Sequence, residues 1–215
     1  MAAGQAAGAA SRGRIDKRQA ILAAAFQVFA RKGFEQACVQ DIAAAAGVAK
    51  PTVYNHLTDK HSLLRESITV VADEVGAECV AVLDRLRSPG ADIGALLEDV
   101  AYRLVRICND DRSRALRRLA YGQAAVHPEL VELARERTGL RTLDALSDRL
   151  ARLTLSGHVR TEDPATAAEQ FLALLTAPVE NRSRMGTHTV RIAELRAIAT
   201  AAVRTFLAAY GPRPQ

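Results

Sequence analysis

Tryptophan is absent, and aromatic residues of all kinds make up only 4% of the sequence. With the β-favouring aromatics scarce, Ala, Leu, Val and Ile carry the 49% hydrophobic content, which favours helices over sheets. Cysteine is limited to Cys38, Cys79 and Cys108, far apart and without a CxxC pair or a His/Cys cluster. Neither a disulfide framework nor a zinc site is supported, so no metal or cofactor is expected, and a reduced, cytoplasmic setting fits. No apolar run approaches the ~18 residues of a membrane span. The two longest, 21–30 and 171–179, are short and interrupted by Gln27, Thr176 and Pro178. The small, uncharged start lacks the basic and leucine-rich parts of a secretory signal and is expected to be a disordered tail over residues 1–13. There is no GxSxG, no P-loop, no HExxH and no glycine-rich nucleotide turn, and the five histidines are scattered. Catalysis is therefore not expected.

A chain of 215 residues can bury a substantial core as one mid-sized domain or two small ones. The net charge of +5 is unevenly placed. Residues 1–65 hold nine positive and four negative side chains, so they carry all of it, and the remainder is balanced. The four lysines, Lys17, Lys32, Lys50 and Lys60, lie in this first third. A basic head on a neutral body points to a polyanion-binding unit joined to a unit with another task.

Apolar residues recur at helical spacing along the chain. The first stripe, Leu22, Phe26 and Phe29, predicts a helix over 14–32 that Gly33 ends. Short helices fit 39–46 and 51–56, and Pro51 suits a first helical position. Thr58 is the candidate cap for a long helix over 59–87, closed by Ser88-Pro89-Gly90. Further helices fit 93–108, 113–126, 128–155, 164–177 and 190–210, with a kink expected at Gly139 and irregular chain over 178–189. The expected fold is all-α with about nine helices: a three-helix head over 14–60, a larger body over 61–210, and a short tail over 211–215. The basic cluster Arg112, Arg114, Arg117 and Arg118 is expected to be a solvated face balanced by Asp110 and Asp111.

Residues 38–60, CVQDIAAAAGVAKPTVYNHLTDK, carry the strongest pattern. Two short helices can cross closely only if a small residue sits at the crossing, which Ala43 supplies. Their turn needs a residue tolerant of positive φ, which Gly47 supplies. Ile42, Ala46, Val48, Val53 and Leu57 fall where the pair buries apolar atoms. This is helix-turn-helix spacing, in which one edge of the second helix enters a major groove. That edge would carry Lys50, Thr52, Tyr54, Asn55 and His56, offering phosphate donors, hydroxyl and amide groups for bases, and an aromatic ring. His56 has no second metal ligand at helical spacing.

The chain resembles the TetR family of one-component transcriptional regulators. The likeness begins with RQAILAAAFQVFARKGFEQA and runs through VQDIAAAAGVAKPTVYNHLTDKHSLL, with its DIA–x–x–AGV core, covering 14–65. In the body it rests on the all-helical layout and on SGHVRTEDPATAAEQFLALL. By position the resemblance assigns Gln40 to base or phosphate contact, Lys50, Pro51 and Thr52 to base contacts, Tyr54 and His56 to the backbone, and Lys60 to a phosphate. Cys38, Ala49 and His61 depart from the usual capping residues, which would leave helix-start N–H groups without side-chain partners.

The resemblance further implies a homodimer that binds a double-stranded DNA operator, and a body that encloses a small-molecule pocket. A repressor released from a pseudo-palindromic operator by an apolar or aromatic effector is the expected function. Cys79, Leu83, Tyr102, Cys108, Tyr121 and His127 are the candidate pocket residues. Ala168, Leu172, Leu175, Leu195, Ala199 and Ala202, on the last two helices, are the candidate dimer face. The alternative is a helical ligand-binding or scaffold protein with a basic head and no specific operator.

Overall fold

The apolar stripes become helices, and most of the expected breakers become the turns between them. The computed structural model describes residues 2–55, 59–90 and 92–212, with side chains from Ile15 onward. The head holds α1 (Ala2–Gln36), α2 (Val39–Ala45) and α3 (Lys50–Tyr54). It is followed by α4 (Lys60–Leu83) and a 3₁₀ turn (Asp84–Arg87). The body continues with α5 (Ile93–Asn109), α6 (Asp111–Gly122), α7 (Pro128–Arg135), a π turn (Glu136–Leu140), α8 (Arg141–Leu155), α9 (Pro164–Ser183) and α10 (Ile192–Tyr210). Taking α7, the π turn and α8 as one continuous rod, the expected count of about nine helices holds among the described residues. None of the described helices is long and apolar enough to cross a membrane.

The first helix starts at Ala2, not after a disordered tail. Ala has the highest helix propensity, and extending an existing helix requires no new nucleus. Gly33, at φ 78°, interrupts the spiral where a stop was expected, and a last turn follows it.

Two apolar cores share α4. Leu64, Ile68, Val71 and Val75 pack with Ile21, Phe26, Phe29, Ile42 and Val53 of the head. Leu116, Leu119 and Leu130, from α6 and α7, close that same core. One turn further along α4, Cys79 and Leu83 join the body core with Leu104, Leu150, Phe171 and Phe206. At the boundary expected near residue 60 there is no gap in packing, because α4 is buried in both cores.

Several caps differ from expectation. Asp59, not Thr58, caps α4, accepting from the Ser62 N–H at 2.7 Å. Thr58 itself lies outside the described residues. Cys38, as expected, makes no side-chain cap bond to the start of α2; the Asp41 carboxylate instead reaches back and accepts from the Cys38 N–H at 3.2 Å and from its thiol at 3.1 Å. Lys32 pairs with the other Asp41 oxygen at 2.8 Å. The Lys32 ammonium and these Cys38 donors pull the Asp41 carboxyl down to about 2. Ala49 provides no side-chain cap for α3, as expected. Asp92, Asp110 and Asp163 cap α5, α6 and α9.

Two departures concern longer segments. The chain over 178–189 was expected to be irregular, yet α9 runs through Pro178 to Ser183. A mid-helix proline costs about 3 kcal/mol or more. Complete burial of a valine side chain contributes about 1.5–3 kcal/mol, and Val179 is 1% exposed, so packing offsets much of that cost. After Ser183, Arg184 and Met185 adopt positive φ in a tight turn. The basic cluster on α6 is only in part the solvated, aspartate-balanced face expected: Arg112 lies 3.7 Å from Asp110, but the cluster also reaches other segments. Arg112 bonds Glu78 of α4 at 2.6 Å, Arg117 donates to the Cys108 carbonyl at 2.8 Å, and Arg118 to the Gly186 carbonyl at 2.9 Å. Arg114 pairs with Asp111. Arg112, Arg117 and Arg118 thus tie α6 to its neighbours, while the Arg114 pair stays within the helix. Asn109 adds a buried tie, donating to the Val190 carbonyl at 3.1 Å and accepting from the Val190 N–H at 3.0 Å.

The π turn packs directly on α4. A Cβ on Gly76 would lie 2.1 Å from the Arg137 carbonyl oxygen. Helix propensity alone would make Gly76→Ala stabilising by about 1 kcal/mol. The backbone overlap outweighs that gain, and chemical denaturation should show a net loss of about 1–3 kcal/mol. For Asp41 the folded-state pKa lies below the unfolded one. Its contribution is therefore complete above the unfolded value and fades as pH falls toward about 2. Asp41→Asn should be less stable than wild type at pH 7, and the two denaturation midpoints should converge between about pH 5 and pH 2.

Candidate DNA interface and body cavity

The unit formed by α2, its turn and α3 has the expected arrangement. Ile42, Ala43 and Val53 are buried, and Val48 is half-buried. Gly47 sits at φ 65° with open space around it, so the turn requires its backbone freedom and not its small size. The Val48 N–H closes the turn on the Ala43 carbonyl at 3.0 Å. Leu57 and His56 lie outside the described residues.

The outer edge of this unit is open to solvent. Gln40, Lys50, Pro51, Tyr54 and Asn55 are exposed, and Thr52 is half-buried. Tyr54 is 50% exposed, which leaves its ring free to lie along a sugar-phosphate strand. Lys60 is half-buried: its ammonium lies over the Phe34 ring, 4.6 Å from the centroid, and donates to the Glu35 carbonyl at 3.1 Å. It therefore anchors the end of α1, and a phosphate would have to compete for it.

Behind the head, the body forms a partly open cavity of about 340 Å³. Val75 and Cys79 of α4, Leu116 and Arg117 of α6, Thr138 and Gly139 of the π turn, and Thr176 and Val179 of α9 are among its walls. Of the candidate pocket residues, Cys79, Cys108 and Tyr121 line it. Leu83 does not, because it is fully buried in the body core. Tyr102 stacks under Arg196, 4.4 Å from the ring centroid, on another face. His127 sits at the joint between head and body, its ring 4.0 Å from that of His61.

Two polar groups in the cavity wall lack partners. Ser113 Oγ and Arg117 Nε are buried without a hydrogen bond, one helical turn apart on α6. Periodicity could not reveal this, because it reports which face is apolar and not which polar atoms are left over. Burial pushes the Cys79 thiol up to about 12 and raises that of Cys108 as well, so both remain protonated at neutral pH.

The residues expected to face a partner subunit point inward. Ala168, Leu175, Leu195, Ala199 and Ala202 are at most 3% exposed and lie in the body core. Leu172 is half-buried and lines the cavity. The apolar stripe of each helix is consumed by packing within the chain. The exposed faces of α9 and α10 instead carry Ala173, Ala177, Ala197, Ala201 and Ala208.

A family model described as bacterial regulatory proteins of the tetR family matches residues 21–67. A second, described as the C-terminal domain of AefR-like transcriptional repressors, matches residues 95–212. An uncharacterised helix-turn-helix transcriptional regulator of Mycobacterium bovis is 27% identical over 175 residues, covering 80% of this chain and 84% of that protein. The crystal structure of a TetR-family regulator from Mesorhizobium loti is 32% identical, with a TM-score of 0.85 over 92% of this chain and 98% of its own. The flavonoid-responsive regulator FrrA is 26% identical, with a TM-score of 0.68 over 93% of this chain and 99% of its own. With both halves matched and the helix-turn-helix edge exposed, this chain belongs to the TetR family of DNA-binding transcriptional regulators.

Proposed function

We propose that the protein is a homodimeric repressor released from its operator by a small-molecule effector held in the body. The sharing of α4 carries this reading. Its first half packs under the helix-turn-helix unit, and Val75 and Cys79 further along wall the cavity. An effector that fits the cavity better in one α4 position biases the head through the same rod. Only such differential affinity shifts the equilibrium. Two heads on a pseudo-palindromic site need recognition helices about 34–36 Å apart. The exposed alanines of α9 and α10, set among charged residues such as Glu169 and Arg204, would allow two copies to pack closely. Likeness to a repressor C-terminal domain and to a flavonoid-responsive regulator supports the repressor and effector parts.

The lining favours a largely apolar effector that carries an oxygen acceptor. That oxygen would meet the unpartnered Ser113 Oγ and Arg117 Nε, while Leu104, Leu116 and Val179 hold the apolar body. Half-exposed Tyr121 suits an aromatic ring at the rim.

Two measurements test this. Anisotropy titration of the gene's own upstream DNA should give two chains per duplex with a steep salt dependence. Tyr54→Ala should weaken that binding by about 1–3 kcal/mol without altering the melting temperature. A missing or salt-insensitive signal would refute operator binding, and one chain per duplex would refute the dimer. Release of that DNA by a panel of phenols and aromatic carboxylates reports on the cavity. Arg117→Met should raise the concentration needed by roughly tenfold or more, because a hydrogen bond to a charged group contributes about 1.5–3 kcal/mol. An unchanged release curve would remove Arg117 from effector binding.

A further inference from the structure

We infer that His61, His127 and Glu129 form a binding site for a zinc-class divalent cation at the joint between head and body. One ligand atom from each of the three lies within 4.8 Å of the others. Glu129 Oε1 is 3.2 Å from His127 Nδ1 and 3.6 Å from His61 Nε2. A tetrahedral ion with bonds of about 2.0–2.1 Å holds its ligands about 3.3 Å apart. Two edges of the site already match that spacing. The third closes with side-chain rotations, since the two imidazole centroids lie only 4.0 Å apart with their planes tilted by 36°.

A second observation points to the same ion. His61 Nε2 is shielded from solvent and has no hydrogen-bond partner, because 3.6 Å is too long for a bond to Glu129. Buried polar atoms are rarely left this way, and a bound cation would satisfy it. Two imidazoles and one carboxylate suit zinc, nickel or copper in preference to calcium or magnesium, and they leave a coordination position for water. The neighbouring ammonium of Lys60 is engaged by the Phe34 ring and the Glu35 carbonyl.

The ligands come from the first turn of α4 and the start of α7. A cation here fastens the helix that follows the recognition unit to the body. Helical spacing in the sequence could not reveal the site, since the histidines meet only through tertiary packing. Any effect of the cation on DNA rests on the operator-binding reading; the binding site itself does not.

The test is a titration of the full-length, tag-free, chelator-stripped protein with Zn²⁺, followed calorimetrically and by thermal melting. Wild type should bind one Zn²⁺ per chain and melt at a higher temperature. His61→Gln and His127→Gln should each weaken binding by roughly tenfold or more. His188→Gln, at an exposed residue elsewhere, should not. Titrating wild type with Co²⁺ should produce visible absorption bands even if a variant fails to fold. Absence of saturable Zn²⁺ binding to wild type, or equal affinity in both folded variants, overturns the site. DNA binding is measured separately, so a protein that takes up Zn²⁺ but ignores DNA would retain the site and refute the operator.

Discussion

Everything in this molecule is organised around the burial of α4 in two cores at once. Its first half completes the head, its second half enters the body, and Gly76 between them admits the backbone of the π turn. Close-packed interiors resist continuous deformation, so displacement at one end of such a rod repacks the other. The head is not an independent bead on a linker. Leu116, Leu119 and Leu130 of the body seal its core, and the Arg112 pairs with Glu74 and Glu78 brace α6 on the same helix. A regulator that must transmit a small change over a distance benefits from this shared packing.

Departures from local helix rules gather around the cavity. The π turn contributes Thr138 and Gly139 to its wall, and the helix that persists through Pro178 contributes Val179 and Glu180. Ser113 Oγ and Arg117 Nε are left without partners in the same wall. Each feature costs stability when considered alone: π turns are rare, internal prolines remove a hydrogen bond, and unpaired buried polar atoms lose their hydration. Proteins retain such costs mainly where function requires them. Their convergence on one partly open cavity, walled on one side by α4, gives the effector reading its physical content.

The helix-turn-helix unit was legible because its constraints are local. Ala43 at the crossing, Gly47 at positive φ and the buried Ile42 and Val53 all lie within a dozen residues, and each has a distinctive side-chain requirement. The family resemblance rested on the same short stretch. In the body, the stripes placed the helices but not their partners. The stripe containing Ala168, Leu175, Leu195 and Ala202 has the pattern of a subunit contact, but the neighbouring helices of the same chain bury it first. The arginines of α6 looked like a solvated face because their acceptors, Glu78 and the carbonyls of Cys108 and Gly186, sit on other segments. The missing cap at Cys38 was legible, whereas the bond that Asp41 returns to the Cys38 N–H depends on side-chain geometry that spacing alone does not specify.

By itself the sequence determined the helical class, the order and approximate extent of most helices, the basic head and the recognition unit. These follow from period, propensity and charge, which act over a few residues. Tertiary structure alone decided which face of each helix is spent inside the chain, where the cavity lies, and which distant side chains meet, such as Asn109 with Val190 or His61 with His127. Those outcomes depend on how rods cross, and crossing is set by the competition of all apolar stripes for the same interior, which no single stretch of chain contains.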